Sequence, residues 1–157
     1  LIQIISNYLT PSEGSVTYGS KDVADLQTTF SYVSPYQNLL DEFTLLEHLQ
    51  FHAKFKKALC PEQEIIDQSG LTGNAQKLVK DFSSGMKQRL RLALGFFYES
   101  SVIFLDEPTS NLDQKGIDWY QNLMQLKPAG QTVIIASNQR AEYEKATQML
   151  SIEKYKS

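Results

Sequence analysis

The stretch "VIFLDEPTSNLD", Val102 to Asp113, runs four apolar residues straight into two adjacent carboxylates, Asp106 and Glu107, followed at once by a proline. Burying one carboxylate without a partner is costly, and burying two side by side is worse. The apolar run predicts a buried strand of the kind found in parallel sheets covered on both faces. In such sheets ligands sit at the carboxyl ends of the strands, so a strand ending in two acids delivers both to the ligand side. One acid can hold a divalent cation, directly or through water, because Mg²⁺ favours carboxylate, water and phosphate oxygens. The other can orient or deprotonate an attacking water. The metal offsets their shared charge. The alternative reading is an exposed turn, "DEPTSNLD", after a core strand.

Working outward, the strand is preceded by a helix "SSGMKQRLRLALGFFY" and followed by a helix "QKGIDWYQNLMQL", ended by "KPAG". A strand "QTVIIAS", a helix "QRAEYEKA" and a short strand near "QMLSI" complete the C-terminal half. This alternation predicts a parallel sheet with helices on both faces. Toward the N-terminus, "LIQIISNYL" has apolar residues at helical spacing and no cap before it, and "TPSEG" ends it. "SVTYGSKDV", broken by Gly19, and "TTFSYVS" read as strands. "TLLEHLQFHAKFKKAL" is a helix with a capping box, Thr44 and Glu47 standing three apart. "PEQEIIDQSGL" is another, opened by Pro61 and closed near Gly70. The helices between about 44 and 80 interrupt the alternation and read as an inserted helical subdomain.

Composition sets the bounds. The 157 residues suggest one domain, able to bury roughly 70% of its unfolded surface without staples. Apolar residues make up 41% and charged residues 21%, an ordinary globular balance. A net charge of −3 argues against non-specific nucleic-acid binding, which needs a basic surface. Cys60 is the only cysteine, so no intrachain disulfide is possible, and this fits a reducing compartment. No apolar run approaches the roughly 20 residues that span a bilayer.

"FSSGMKQR", Phe82 to Arg89, opens the helix before the acidic strand. Ser83 and Ser84 can cap it, and Gly85 lets backbone approach a ligand closely. The N–H groups of its first turn form an anion site. The alternative is an ordinary serine-capped helix.

Together these residues resemble the nucleotide-binding subunit of an ATP-binding cassette (ABC) transporter. "VIFLDEPTSNLD" is similar to the family's Walker B strand, catalytic glutamate and D-loop. "FSSGMKQR" resembles the signature LSGGQxQR, with Ser83, Gly85, Gln88 and Arg89 at matching places. Ser83 stands twenty-three positions before Asp106, the family's spacing. "TPSEGSVTY" resembles the turn and strand after the P-loop helix, and "FTLLEHLQF" the start of the helical subdomain.

The chain departs from the family pattern in four places. No G-x-x-x-x-G-K-[ST] occurs. In the family that loop runs into a helix like "LIQIISNYL", so the sequence is expected to begin just after it, by truncation or omission rather than evolutionary loss. The signature has Ser84 for its first glycine and Met86 for its glutamine. The Q-loop glutamine should fall where Pro35 stands, and Gln37, two positions on, is the candidate substitute. The switch histidine is replaced by Asn138, which can hydrogen-bond a phosphate oxygen but cannot become cationic near neutral pH.

The resemblance implies an α/β fold of the P-loop NTPase, ABC type: a mainly parallel sheet flanked by helices, residues 1–157 forming one N-terminally incomplete domain with a helical subdomain at approximately 44–85. It implies hydrolysis of ATP with Mg²⁺, Asp106 supporting the metal and Glu107 polarising the water. Asn138 joins Glu107 as a catalytic candidate. Ser83, Ser84, Gly85, Met86, Gln37 and Asp113 are the nucleotide-binding candidates. Without a phosphate cradle the chain as given is expected to be inactive. Two chains, identical or different, would pack head to tail around two nucleotides. A separate transmembrane permease would supply the pore and hold the subunit at the inner face of the cell membrane, in the cytoplasm, with no nucleic-acid partner. Two rivals stand beside this reading: a degenerate or regulatory half-site with little hydrolysis of its own, which Pro35 and Asn138 favour, and a soluble ABC ATPase serving translation or repair. The second rival lacks its usual coiled coils or second cassette here.

Several residues have plainer readings. His48 and His52, four apart on a helix, have zinc-like spacing but no third ligand nearby, and they read as a subdomain face. Trp119 and Tyr120 are packing residues. "KFKK" is a solvated face, and Met86 need not be core.

Overall fold

The computed structural model describes residues 1–18, 21–22, 29–127 and 130–155. In chain order its elements are α1 (Ile2–Ile5), β1 (Thr17–Tyr18), β2 (Lys21–Asp22), β3 (Phe30–Val33), α2 (Leu45–Ala53), α3 (Glu62–Gln68), α4 (Ser84–Phe96), β4 (Val102–Asp106), α5 (Gln114–Leu123), β5 (Thr132–Ala136) and α6 (Arg140–Tyr143), with single 3-10 turns at Val79–Asp81 and Ile152–Tyr155. The expected strand break at Gly19, the start of "TTFSYVS" at Thr28 and the Pro128–Ala129 step of "KPAG" lie outside the described residues. β1 and β2 pair antiparallel, Thr17 opposite Asp22.

β4 is the centre of a parallel sheet of order β3-β4-β5. Its apolar run is explained by burial on both faces. Ile103 and Leu105 point into a large core with Val33, Leu49, Ile65 and Leu90. Val102 and Phe104 point the other way, into a smaller cluster with Ile2 and Phe30. Successive strand residues alternate faces, so an apolar residue at every position needs cover on both. Here the register also matters: Val33 pairs with Leu105, while Asp106 is carried one residue further and pairs with Ala136.

The α2 capping box forms as the sequence predicts. Thr44 Oγ1 accepts from the Glu47 N–H at 3.2 Å, and Glu47 Oε2 accepts from the Thr44 N–H at 2.8 Å. This reciprocal pairing holds the Glu47 carboxyl below its ordinary pKa, the Thr44 backbone bond contributing most. Ser83 caps α4 through Met86 N–H at 3.2 Å, and Asp113 caps α5 through Gly116 N–H at 2.8 Å. α3 ends at Gly70, whose φ of +69° closes the helix in the left-handed region.

Several expectations need correction. The "TLLEHLQFHAKFKKAL" helix ends at Ala53, six residues before Leu59. The "LIQIISNYL" helix is only Ile2–Ile5, because Asn7 turns left-handed at φ +60° and the Tyr8 and Leu9 N–H groups both return to the Gln3 carbonyl. The "QRAEYEKA" helix is one turn, Arg140–Tyr143. "QMLSI" forms no strand: residues 148–151 are irregular and lead into the final 3-10 turn, with Met149 and Leu150 exposed. "KFKK" is not wholly solvated. Lys54, Phe55 and Lys57 are exposed, and Lys57 pairs with Glu99, but Lys56 folds inward to the Phe30 carbonyl and Ser31 Oγ, and burial pushes its pKa down.

Candidate functional site

The carboxyl ends of the three parallel strands gather the segments singled out by sequence. β3 runs into the loop carrying Pro35 and Gln37, β4 into Asp106–Glu107, and β5 into Ser137–Asn138. Asp106 is the last residue of β4, half-buried, and Tyr32 on β3 donates its hydroxyl to Asp106 Oδ2 at 3.1 Å. Burial raises the Tyr32 pKa, and its nearness to the Asp106 carboxylate adds to that, so the phenol remains a donor. One oxygen of Asp106 is thus fixed by a hydrogen bond from the neighbouring strand.

Glu107 lies just past the strand. Its N–H still donates to the Ala136 carbonyl at 2.9 Å, so β5 anchors it, but its φ of +45° turns the chain out of the sheet. Positive φ is uncommon for a side chain of this kind. Ser110 Oγ stands 3.4 Å from Glu107 Oε2, a weak bond that reaches one end of the carboxylate. The expected strand "SVIFLDE" therefore stops one residue short: Asp106 stays in the sheet opposite Ala136, and the backbone leaves it at Glu107.

The signature segment sits against the turn that follows. A Cβ on Gly85 would lie 3.1 Å from the Asn111 carbonyl, so a small residue is needed where α4 meets the turn. Ser83 is both cap and exposed, and the first-turn N–H groups of Ser84 and Gly85 have no acceptor within the helix. Met86 is half-buried and packs against the large core. Asp113 serves as the α5 cap, and its charge counteracts the lowering of the Arg89 pKa that burial causes. Arg89 lies over the Trp119 ring at 4.6 Å and donates to the Ser69 carbonyl at 3.3 Å, while Trp119 Nε1 donates to the Gln68 carbonyl at 2.7 Å. Tyr120 is buried, with its hydroxyl on the Glu142 carbonyl. Both aromatics pack, as expected.

Gln37 is exposed, and its backbone carbonyl accepts from Arg91 Nε at 2.9 Å. Asn138 is exposed in the bend between β5 and α6, next to Ser137 Oγ, which accepts from the Gln139 N–H at 2.8 Å. The histidines are packing residues. His48 Nε2 accepts from the Leu40 N–H at 3.0 Å, and His52 meets the Tyr98 ring edge-on at 4.5 Å. Burial lowers both pKa values, that of His52 to about 4 with help from the charges of Lys56 and His48.

Sequence reasoning missed three participants. Tyr32 is one strand residue among several, and only the parallel register places it against Asp106. Gln88 was visible as part of the signature, but its donation to the Pro108 carbonyl at 2.8 Å was not. Glu142 appeared as one acid on a polar helix; it is buried and accepts from the Thr109 N–H at 2.8 Å. Its position four residues after Asn138 was the only signal.

Among the described residues no group of three His, Cys, Asp or Glu side chains is arranged to hold a metal ion. The carboxylates of Asp106 and Glu107 are hard oxygen donors, the kind that Mg²⁺ takes together with water and phosphate.

The profile of the ABC transporter family matches residues 1–110. An uncharacterized ABC transporter ATP-binding protein of Bacillus subtilis, YybJ, is 32% identical over 151 residues, covering 90% of this chain and 68% of that protein. A second from the same organism, YcbN, is 29% identical, covering 97% of this chain and 52% of that protein. The retinal-specific phospholipid-transporting ATPase ABCA4 of Mus musculus is 28% identical over 90% of this chain but only 6% of its own length. The chain thus spans two thirds of one relative and a small part of another. Two solved structures share the fold: an ATP-binding subunit of an ABC transporter, with TM-score 0.77, 23% identity and coverage of 92% of this chain and 64% of that one, and the dimeric ATP-binding cassette MJ0796 bound to ADP and Pi, with TM-score 0.74, 22% identity and coverage of 88% and 68%.

Proposed function

The chain belongs to the ABC transporter family, as part of an ATP-binding subunit, and on that premise we propose that the whole protein hydrolyses ATP to power transport through a separate membrane subunit. The observation that carries the proposal is the acidic pair at the carboxyl end of the central strand, with Asp106 oriented by Tyr32 and Glu107 at the left-handed turn that follows. Asp106 would hold Mg²⁺, with Glu107 beside it. When bound, the metal would neutralise charge on the phosphate oxygens. Glu107 orients a water for in-line attack on the γ-phosphorus and accepts its proton, releasing ADP and phosphate. Asn138 donates a neutral hydrogen bond toward the γ-phosphate, and Gln37 lines the same edge.

No phosphate-cradling G-x-x-x-x-G-K-[ST] occurs among the 157 residues. Phosphoryl transfer is chiefly positioning and charge stabilisation, so that loop has to be supplied from outside this chain's sequence for turnover. Ser83, Ser84, Gly85 and Met86 serve a nucleotide held by a second subunit, in a head-to-tail sandwich with Asp113 at the crossing point. Residues from approximately 44 to 85, which include α2 and α3, act as the helical subdomain. Among the described residues no helix is long and apolar enough to cross a membrane. In the proposed assembly a permease partner supplies the pore and holds the subunit at the inner membrane face.

The test is steady-state ATP hydrolysis by the full gene product with its permease. Absence of turnover under conditions where nucleotide binds would favour the second reading, a regulatory half-site, which the exposed, uncharged Asn138 supports. In an active protein Asn138→Ala is expected to lower kcat more than about tenfold with little change in KM, as loss of a preorganised donor does.

A further inference from the structure

The peptide bond joining Pro108 to Thr109, directly after Glu107, is held at both of its polar atoms. Its carbonyl accepts from Gln88 Nε2 at 2.8 Å, and its N–H donates to Glu142 Oε1 at 2.8 Å. The Thr109 hydroxyl donates to the same Glu142 oxygen. Gln88, Thr109 and Glu142 are 0%, 3% and 3% exposed, so water does not compete for these bonds. Gln88 comes from α4, the signature helix, while Glu142 comes from α6, the helix that follows Asn138.

Such a grip has a consequence for Glu107. The proline ring fixes φ at Pro108, and the held peptide plane fixes its ψ. A following proline disfavours the right-handed helical region for the preceding residue, which leaves Glu107 an extended or a left-handed state. Extended backbone would continue β4 in line. The observed φ of +45° is the less favourable choice for a glutamate, and strained residues persist where their surroundings over-determine them. Ala136 holds the residue from one side through the Glu107 N–H, and the fixed peptide holds it from the other.

Glu142 is also an odd choice for a residue whose role is packing alone. Its Oε2 is buried with no hydrogen-bond partner among the described residues. A buried carboxylate carries a desolvation penalty that an apolar side chain of the same size avoids. What it supplies is a strong acceptor facing two donors on one residue.

We propose that Gln88 and Glu142 are positioning residues, a two-sided clamp on the Pro108–Thr109 peptide that sets the turn at Glu107 and so aims its carboxylate. The clamp reaches further. Arg91 donates to Gln88 Oε1 at 3.4 Å and to the Gln37 carbonyl at 2.9 Å, so the loop after β3 is tied to the same device. The role assigned to the aim rests on Glu107 being the water-orienting acid, but the clamp itself does not.

The test has two arms. In the full gene product, amide hydrogen exchange by NMR reads the clamp directly. Glu142→Leu is expected to speed exchange at Thr109 at least tenfold while the Phe104 amide in β4 stays protected, and Glu142→Gln, which keeps an acceptor oxygen, is expected to restore protection. Unchanged Thr109 exchange in Glu142→Leu overturns the clamp. In the full gene product, Gln88→Met and Glu142→Leu are each expected to lower kcat roughly tenfold or more with KM for ATP nearly constant, the pattern of a misaimed group. Glu142→Gln is expected to recover most of that loss. Normal kcat in Gln88→Met overturns the aiming role, and this variant decides the matter should Glu142→Leu fail to fold. If Glu107→Gln itself turns over normally while Thr109 exchange responds as expected, the hydrolytic reading of Glu107 fails and the clamp stands.

Discussion

Asn7, Glu107 and Asn111 all adopt positive φ, but asparagine tolerates that region and glutamate does not share its short amide. The strain at Glu107 therefore sits on the side chain to which the proposal gives the water-orienting role. In the full gene product Glu107→Gln keeps the size and the turn and would remove the proposed base. Turnover is expected to fall roughly 10²–10⁴-fold with nucleotide affinity largely kept, and near-normal turnover would show that the acid is structural. A second residue-scale expectation concerns His52. Its pKa in the fold is about 4, against 6.5 for an ordinary histidine, because burial and the neighbouring Lys56 and His48 charges disfavour the imidazolium. The unfolded chain binds the proton more readily, so this contribution to stability is full above pH 6.5 and is lost as pH falls toward 4. Allowing for the ring's partial exposure, the loss is on the order of 1 kcal/mol. His48, shifted in the same direction, adds to it. Urea titrations should give a steeper decline over that window for the native chain than for His52→Phe, and parallel curves would remove His52 as the cause.

At the scale of elements, the closest fit is between α4 and the sheet. A Cβ on Gly95 would stand 2.6 Å from Val33 Cγ2 and 3.8 Å from Ile103 Cγ2, both on buried β-branched residues that cannot swing aside. Alanine gains about 1 kcal/mol in helix propensity over glycine, but overpacking costs about 1–3 kcal/mol. Gly95→Ala is expected to lower the urea midpoint, and a raised midpoint would mean that α4 moves freely on β3. This contact also shows where sequence stops being informative. β4, α4, α5 and the Thr44–Glu47 box were legible because each is written in local terms: an unbroken apolar run, a 3.6-residue period, a cap three residues from its partner. α6, the irregular 148–151 segment and the inward turn of Lys56 were not, since short polar segments carry little periodicity and tertiary contacts decide them. Of the candidate site, the acids and the signature were legible as neighbours in sequence. Tyr32, Gln88 and Glu142 acquire their roles only from the parallel register and from the packing of α4 and α6 on either side of one turn.

Over the whole molecule, the candidate groups divide into two half-sites. The acids and Asn138 lie at the carboxyl edge of the sheet, whereas the signature's serine-capped turn opens α4, where Gly85 meets Asn111. Ser83 already takes the Met86 N–H, so the α4 turn offers few donors by itself. Neither half-site cradles a triphosphate. MgATP titration of the 157-residue chain is accordingly expected to show no saturation below about 1 mM, near the limit of roughly −4 kcal/mol that a few exposed contacts supply. Sub-millimolar binding would place the phosphate site elsewhere in this chain. In the full gene product the proposed head-to-tail sandwich would change the arithmetic, because nucleotide bound between two subunits would draw on both half-sites at once and stabilise the pair by mass action. Glu107→Gln prevents the consumption of ATP that would release the pair. Sedimentation of that variant is therefore expected to show a dimer with MgATP and a monomer with MgADP, since ADP lacks the γ-phosphate that Ser83 and Gly85 of the second copy would meet. Adding Gly85→Asp places a carboxylate against that phosphate and against the Asn111 carbonyl, 3.1 Å from where its Cβ would stand, and should abolish the ATP dimer while leaving the MgATP affinity of each subunit's own cradle. A dimer that survives Gly85→Asp would mean that the two copies meet through another surface, and the signature turn would then be left as an ordinary serine-capped helix start.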